Sequence, residues 1–200
     1  MGKAKRKSRQ SQPIPENLTP LISPIQALQK LLDQFNNRGV IVGGVAASLL
    51  GLPRYTVDLD ALFLLNEEDI PRILQLAAKL GIEPRLPDTI KFAQKNRVLL
   101  LRHLATGTDI DLIMGMLPFE VEMIERSKLM EIGSLKLRLP TPEDLVIMKA
   151  VAHREKDLFD IQAILESHPD LDKARIKYWL EQFGEALELP DLWINISKLF

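Results

Sequence analysis

Two acidic pairs embedded in apolar strands, Asp58-Leu59-Asp60 and Asp109-Ile110-Asp111, constrain this chain more than any other feature. The first pair lies in the apolar run from Val57 to Leu65, and the second in Thr108 to Met114; both runs read as strands. Side chains two apart on a strand point to the same face, so Asp58 and Asp60 should project together. Ionised carboxylates held side by side repel, and a fold that keeps them must supply protons or cations. A second strand carrying the same arrangement favours a divalent metal, because hard cations prefer carboxylate oxygen.

A diglycine, Gly43-Gly44, stands between the apolar Val40-Ile41-Val42 and the helix-like Val45–Leu50. Lacking side chains, a strand-to-helix junction of this kind lets phosphate approach the backbone and meet the free N–H groups of the helix. Three acids from two strands can hold two Mg²⁺ ions about 4 Å apart, one activating an attacking hydroxyl and one stabilising a leaving pyrophosphate. Asp109 shares the face of Asp111, so either residue can be the third acid.

The remaining chain supplies a frame. Ile25, Leu28, Leu31, Leu32 and Phe35 give helical spacing over 22–35, and a second helix is expected over 67–80, with acids first and Gly81 after it. The 82–94 stretch reads as a short strand and a loop. A strand over 97–104 turns at Thr106-Gly107 toward the Asp109/Asp111 strand, predicting a hairpin. A short helix over 118–126 and a hairpin over 128–139 follow. Thr141-Pro142 then opens a helical third, with helices at about 142–154, 157–167, 172–183 and 190–198. The expected fold is α/β of the α+β kind: a small mixed sheet flanked by helices, ending in a C-terminal helical region. The expected organisation is a disordered basic tail over 1–20, an α/β domain over 21–140 and the helical region over 141–200.

Composition removes several alternatives. With 46% hydrophobic residues a core is affordable, and a net charge of −1 excludes a uniformly basic nucleic-acid coat. The chain has no cysteine, so disulfides, thiolate zinc sites and cysteine nucleophiles are absent, which fits a reducing, cytoplasmic setting. No apolar run approaches the ~18 residues of a membrane helix, so no membrane role is expected. The basic start, Lys3 to Arg9, leads into polar sequence rather than an apolar core and reads as a solvated tail, not a secretory signal. His103 reads as a satisfied core residue and His168 as a loop residue. Trp179, Phe183, Trp193 and Phe200 read as core or an interface patch.

Together, Gly43-Gly44, Arg54-x-Thr56-x-Asp58-Leu59-Asp60 and Ile110-Asp111-Leu112-Ile113 resemble the DNA polymerase beta-type nucleotidyltransferase superfamily. Pro118-Phe119-Glu120, Thr141 to Lys149 and Arg154 to Ile161 resemble its AbiEii-type toxin branch. The resemblance spans about residues 25–166 and implies an Mg²⁺-dependent transfer of a nucleoside monophosphate from an NTP to a hydroxyl. The acceptor would be tRNA or protein, and an antitoxin would be a partner. Asp58 and Asp60 would ligate two Mg²⁺ ions, with Asp111 as third carboxylate, since it matches the branch's acid followed by two aliphatics better than Asp109. Gly43 and Gly44 would cradle the triphosphate, and Lys149 and Lys156 would approach its phosphates. Val45 stands where many relatives have serine or threonine, leaving Ser48 one turn on as the candidate hydroxyl. Arg54 would meet substrate or brace Asp58, with Thr56 beside it. Lys149, His153, Lys156 and Asp160 form one stripe if the helix is continuous; alternatively Asp157 caps a new one. An antibiotic-type nucleotidyltransferase and a catalytically silent nucleotide- or partner-binding module of the same fold are the rival readings.

Overall fold

The computed structural model describes residues 13–36 and 38–200. Strands β1 (Gly39–Val42), β2 (Asp58–Leu64), β3 (Ile82–Pro84), β4 (Val98–His103) and β5 (Thr108–Gly115) form one mixed sheet in the order β1-β2-β5-β4-β3. Only the central β2–β5 pair is parallel; β1–β2, β4–β5 and β3–β4 are antiparallel. The hairpin expected around Thr106-Gly107 is the β4–β5 pair. Strands β6 (Lys128–Ile132) and β7 (Leu135–Leu139) form a separate hairpin, and β7 packs beside β1.

Nine α-helices surround these strands among the described residues: α1 (Ile22–Asp33), α2 (Gly43–Leu50), α3 (Ile70–Lys79), α4 (Thr89–Asn96), α5 (Pro118–Arg126), α6 (Pro142–Ala152), α7 (Glu155–Ser167), α8 (Lys173–Ala186) and α9 (Leu192–Ser197). Helix α1 buries Ile25, Leu28, Leu31 and Leu32, the face its apolar spacing marks out. Helix α6 starts as its sequence specifies: Thr141 Oγ1 accepts from the Asp144 N–H at 3.3 Å, and Pro142 occupies the first turn. Helix α2 packs on β2 and also meets α6 and α7, so the diglycine end of α2 sits where sheet and helical region join. One apolar cluster runs through both, from Leu62 and Ile110 in the sheet to Leu145, Ile161 and Ile176 in the helices.

Three local expectations need correction. Within the stretch expected to be disordered, Glu16–Leu21 forms a 3-10 helix with Leu18 and Leu21 buried; the rest of that expectation, over residues 1–12, lies outside the described residues. The loop expected beyond β3 is helix α4, a short and mostly polar helix that buries only Thr89 and Ala93. Asp157 does not begin a helix. His153 takes a left-handed conformation (φ 48°) after α6, Arg154 is extended, and α7 starts at Glu155. Asp157 is its third residue and accepts from the Arg154 backbone N–H at 3.3 Å. The single stripe through Lys149, His153 and Lys156 is therefore broken at His153.

No helix among the described residues is long and apolar enough to cross a membrane. Leu18 tests whether the N-terminal 3-10 helix belongs to the core, since its side chain is fully buried. Leu18→Ala is expected to cost about 2–5 kcal/mol in denaturant unfolding, as for other core leucines. A loss under about 0.5 kcal/mol would mark it as a surface position.

Candidate active site

Register brings the acidic pairs together. Asp58 lies opposite Asp109, and Asp60 opposite Asp111, across the parallel β2–β5 pair. Residues in register on adjacent strands share a face, so one side of the sheet carries all four carboxylates, while Leu59 and Ile110 turn into the core. A cleft of about 400 Å³ opens on that face. Asp58, Asp60 and Asp111 line it from the sheet, Gly43 and Gly44 from the start of α2, and Arg54, Lys149, Arg154 and Lys156 from the following loop and the helices. Asp109 is not part of this lining. Its carboxylate is taken by Arg102 Nε at 2.7 Å and Arg85 Nη1 at 2.6 Å, which supports Asp111 as the third acid.

The diglycine is required sterically. Gly43 has φ +63°, and a Cβ there would collide with the Asp60 carboxylate; one on Gly44 would collide with the Thr56 hydroxyl. Thr56 is buried and its Oγ1 donates to Asp58 Oδ1 at 2.9 Å, fixing that side chain. Arg54 braces the helices rather than Asp58. Its Nε and Nη2 form a two-pronged bridge to Asp160, at 2.5 and 2.9 Å.

Lys149 is likewise engaged. Its buried Nζ donates to Asp157 at 2.9 Å and Asp160 at 2.6 Å, while Arg154 Nε donates to Asp157 at 2.6 Å. Burial alone would raise the Asp157 carboxyl, but hydrogen bonds from Arg154 and Lys149 hold it below its ordinary range. Arg54, Lys149 and Arg154 thus share two buried acids, leaving an excess of positive charge, to which exposed Lys156 adds. Lys149 supplies field from within this network, whereas Lys156 and the partly exposed arginines present open cationic surface. The sequence reading gave Arg154 no place among the cleft residues, but offered Asp157 and Asp160 as acids that orient Lys156 or Arg154 or cap the helix, and Asp157 does hold Arg154. The Arg154-Glu155-Lys156-Asp157 and Asp160 spacing was the available signal.

Ser48 does not line the cleft. Its buried hydroxyl donates to the Arg54 carbonyl at 2.9 Å and accepts from the Arg54 N–H at 3.2 Å. Asn17 Nδ2 donates to the same carbonyl at 2.6 Å. Position 48 faces the loop that follows α2, and its hydroxyl clamps that loop instead of lining the cleft. His103 and His168 are satisfied by Thr106 Oγ1 at 2.9 Å and the Leu50 carbonyl at 2.7 Å. Trp179 and Phe183 stack edge-on with Phe119 or pack near it, against the core.

The donor set fits divalent cations. Burial first, then the charges of Asp58 and Asp111, raise the Asp60 carboxyl above its ordinary value, with Lys149 and Arg154 only partly offsetting them. Burial also raises Asp111, against the partial relief of Arg85. A cation bound by these oxygens would remove that strain. Among the described residues no three acids already stand at the spacing of a closed metal cage. Asp111 is instead paired with Arg85.

Comparison with known proteins identifies the family and the fold. The family model described as "Nucleotidyl transferase AbiEii toxin, Type IV TA system" matches residues 26–199. The antibiotic-resistance factor ANT(2'')-Ia has a similar fold, at 14% identity and a TM-score of 0.59, covering 85% of this chain and 94% of that one. An antigenic nucleotidyltransferase-like protein from Paracoccidioides brasiliensis aligns at 17% identity and a TM-score of 0.52, covering 92% of this chain and 94% of its own. No curated protein matches the sequence.

The raised Asp60 carboxyl makes a stability prediction. Its penalty is absent below the unfolded pKa and grows as pH rises through the higher folded value. Metal-free Asp60→Asn should therefore melt above the wild type at pH 7, with the advantage vanishing as pH falls below the ordinary value of 3.8. Thermal melts across pH in chelator check this.

Proposed function

This chain belongs to the AbiEii nucleotidyl transferase family and is a nucleotidyltransferase, and we propose that its cleft moves a nucleoside monophosphate from an NTP to a hydroxyl of tRNA or protein, as the toxin of a toxin–antitoxin pair. The observation that carries the chemistry is the meeting of Asp58, Asp60 and Asp111 with Arg54, Arg154 and Lys156 in one cleft beside Gly43-Gly44. A triphosphate needs both partners: cationic side chains for its outer phosphates, and carboxylates that hold the cations at its reacting end.

When bound by Asp58, Asp60 and Asp111, Mg²⁺ would neutralise the phosphates and acidify the attacking hydroxyl. The protein's own residues do the positioning. Thr56 fixes one oxygen of Asp58, leaving its other oxygen for the cleft. The diglycine gives the triphosphate room beside the first turn of α2. Lys149, buried between Asp157 and Asp160, holds α6 against α7 and so sets where Arg154 and Lys156 reach the cleft. Asp111 would help take the proton of the acceptor hydroxyl. Catalysis then rests on orientation and electrostatics, with no covalent enzyme intermediate.

Incubating the protein with each α-labelled NTP, Mg²⁺ and total tRNA or cell lysate identifies the acceptor. Label on tRNA or protein supports the reading, label on an added aminoglycoside alone would replace it with antibiotic modification, and no label with any acceptor would leave a binding module. Asp60→Asn is expected to lower transfer by about 100-fold or more. Lys156→Ala should raise the KM for NTP by about tenfold with a smaller effect on kcat, because it removes phosphate binding and leaves the carboxylates in place. Growth arrest on expression, relieved by Asp60→Asn, is the expected cellular counterpart.

A further inference from the structure

Arg85 follows β3 directly, and its backbone N–H donates to the Leu100 carbonyl of β4 at 2.9 Å. From this edge its guanidinium reaches two acids of β5: Nη1 binds Asp109 Oδ2 at 2.6 Å, and Nη2 binds Asp111 Oδ1. Arg102, opposite Asp109 in the β4–β5 register, holds the other Asp109 oxygen at 2.7 Å. The four side chains alternate in charge from Arg102 through Asp109 and Arg85 to Asp111, and only the last lines the cleft.

Arg85 differs from Arg54. Arg54 spends its fork on one carboxylate, the arrangement that best fixes a single ion pair. Arg85 divides its two terminal nitrogens between two carboxylates and leaves Nε buried without a partner. An unsatisfied buried N–H carries a cost, so this placement is poor as a simple brace. It does give both β5 acids a counter-charge where no metal cage is preformed.

We propose that Arg85 is the resident counter-cation of Asp111: it occupies one oxygen of that carboxylate in the metal-free protein, is shared with Asp109, which Arg102 also holds, and competes with a divalent cation for the third ligand of the cleft. Arg85 is a positioning residue that sets cation affinity, and Asp109 acts through it. The inference rests on the nucleotidyltransferase reading of the same cleft. It also gives a role to Asp109, the first acid of Asp109-Ile110-Asp111.

Mn²⁺ titration of the full chain, followed by electron paramagnetic resonance without nucleotide, tests the competition. Arg85→Gln should bind Mn²⁺ about five- to tenfold more tightly than the wild type. Its metal-free form should melt lower and gain more from added Mn²⁺, a readout independent of turnover. Arg85→Lys keeps the charge and should stay near the wild type. Asp109→Asn, which frees Arg85 to bind Asp111 alone, should bind Mn²⁺ more weakly. Arg102→Gln removes an equal charge without touching Asp111 and should change affinity less than twofold; this separates competition from a general field effect. Equal shifts in Arg85→Gln and Arg102→Gln, or no tightening in Arg85→Gln while the wild type binds, would overturn this inference alone. No saturable Mn²⁺ binding in the wild type or any variant, even with a nucleotide analogue present, would overturn the cation reading and this inference with it.

Discussion

Repulsion among carboxylates held in register on β2 and β5 is the constraint around which this molecule is arranged. A parallel pair places Asp60 beside Asp111 with no freedom to splay, since both backbones are fixed by ladder hydrogen bonds and by the core beneath them. Left alone, that face would be a liability to folding. The surrounding cations answer it unevenly: Arg85 and Arg102 cover the Asp109 side, whereas Lys149 and Arg154 only soften Asp60 from a distance. The imbalance leaves negative potential concentrated where the cleft opens.

The helical region is tied to the sheet by the same kind of interaction. Asp157 and Asp160 are buried, and each is held by more than one cation. Removing one member would strand a partner in an apolar setting, which is far more disruptive than losing an exposed ion pair. The network therefore links the Arg54 loop, α6 and α7 into one unit. Its surplus positive charge meets the acids of the sheet across the cleft, so structural cohesion and the electrostatics of the cleft draw on the same side chains.

Much of this was legible in the sequence because period and composition were strong. The apolar strand around Asp58, the Thr141-Pro142 helix start and the 128–139 hairpin each carry local signals that tertiary packing reinforces. What stayed hidden depended on contacts distant in the chain. Ser48 looked like a phosphate-facing hydroxyl until its partner was seen to be the Arg54 backbone. Lys149 looked like an exposed cation on a helical stripe, yet acids 8 and 11 residues onward bury it. Arg85 carried no motif at all, and only the β3–β4–β5 pairing brings it to Asp111. Helix α4 was missed for a different reason: it is only 8 residues long, mostly polar, and buries only Thr89 and Ala93.

The clamp on the Arg54 carbonyl ties distant parts of the polypeptide into one mechanical assembly. Asn17 stands 37 positions before Arg54 and grips its main chain alongside Ser48. The Glu16–Leu21 3-10 turn is thus a strut for the Arg54 loop as well as a lid on the hydrophobic interior. A version trimmed back to the start of α1 would keep every strand of the sheet, but the guanidinium that bridges to Asp160 would hang from a slackened hinge.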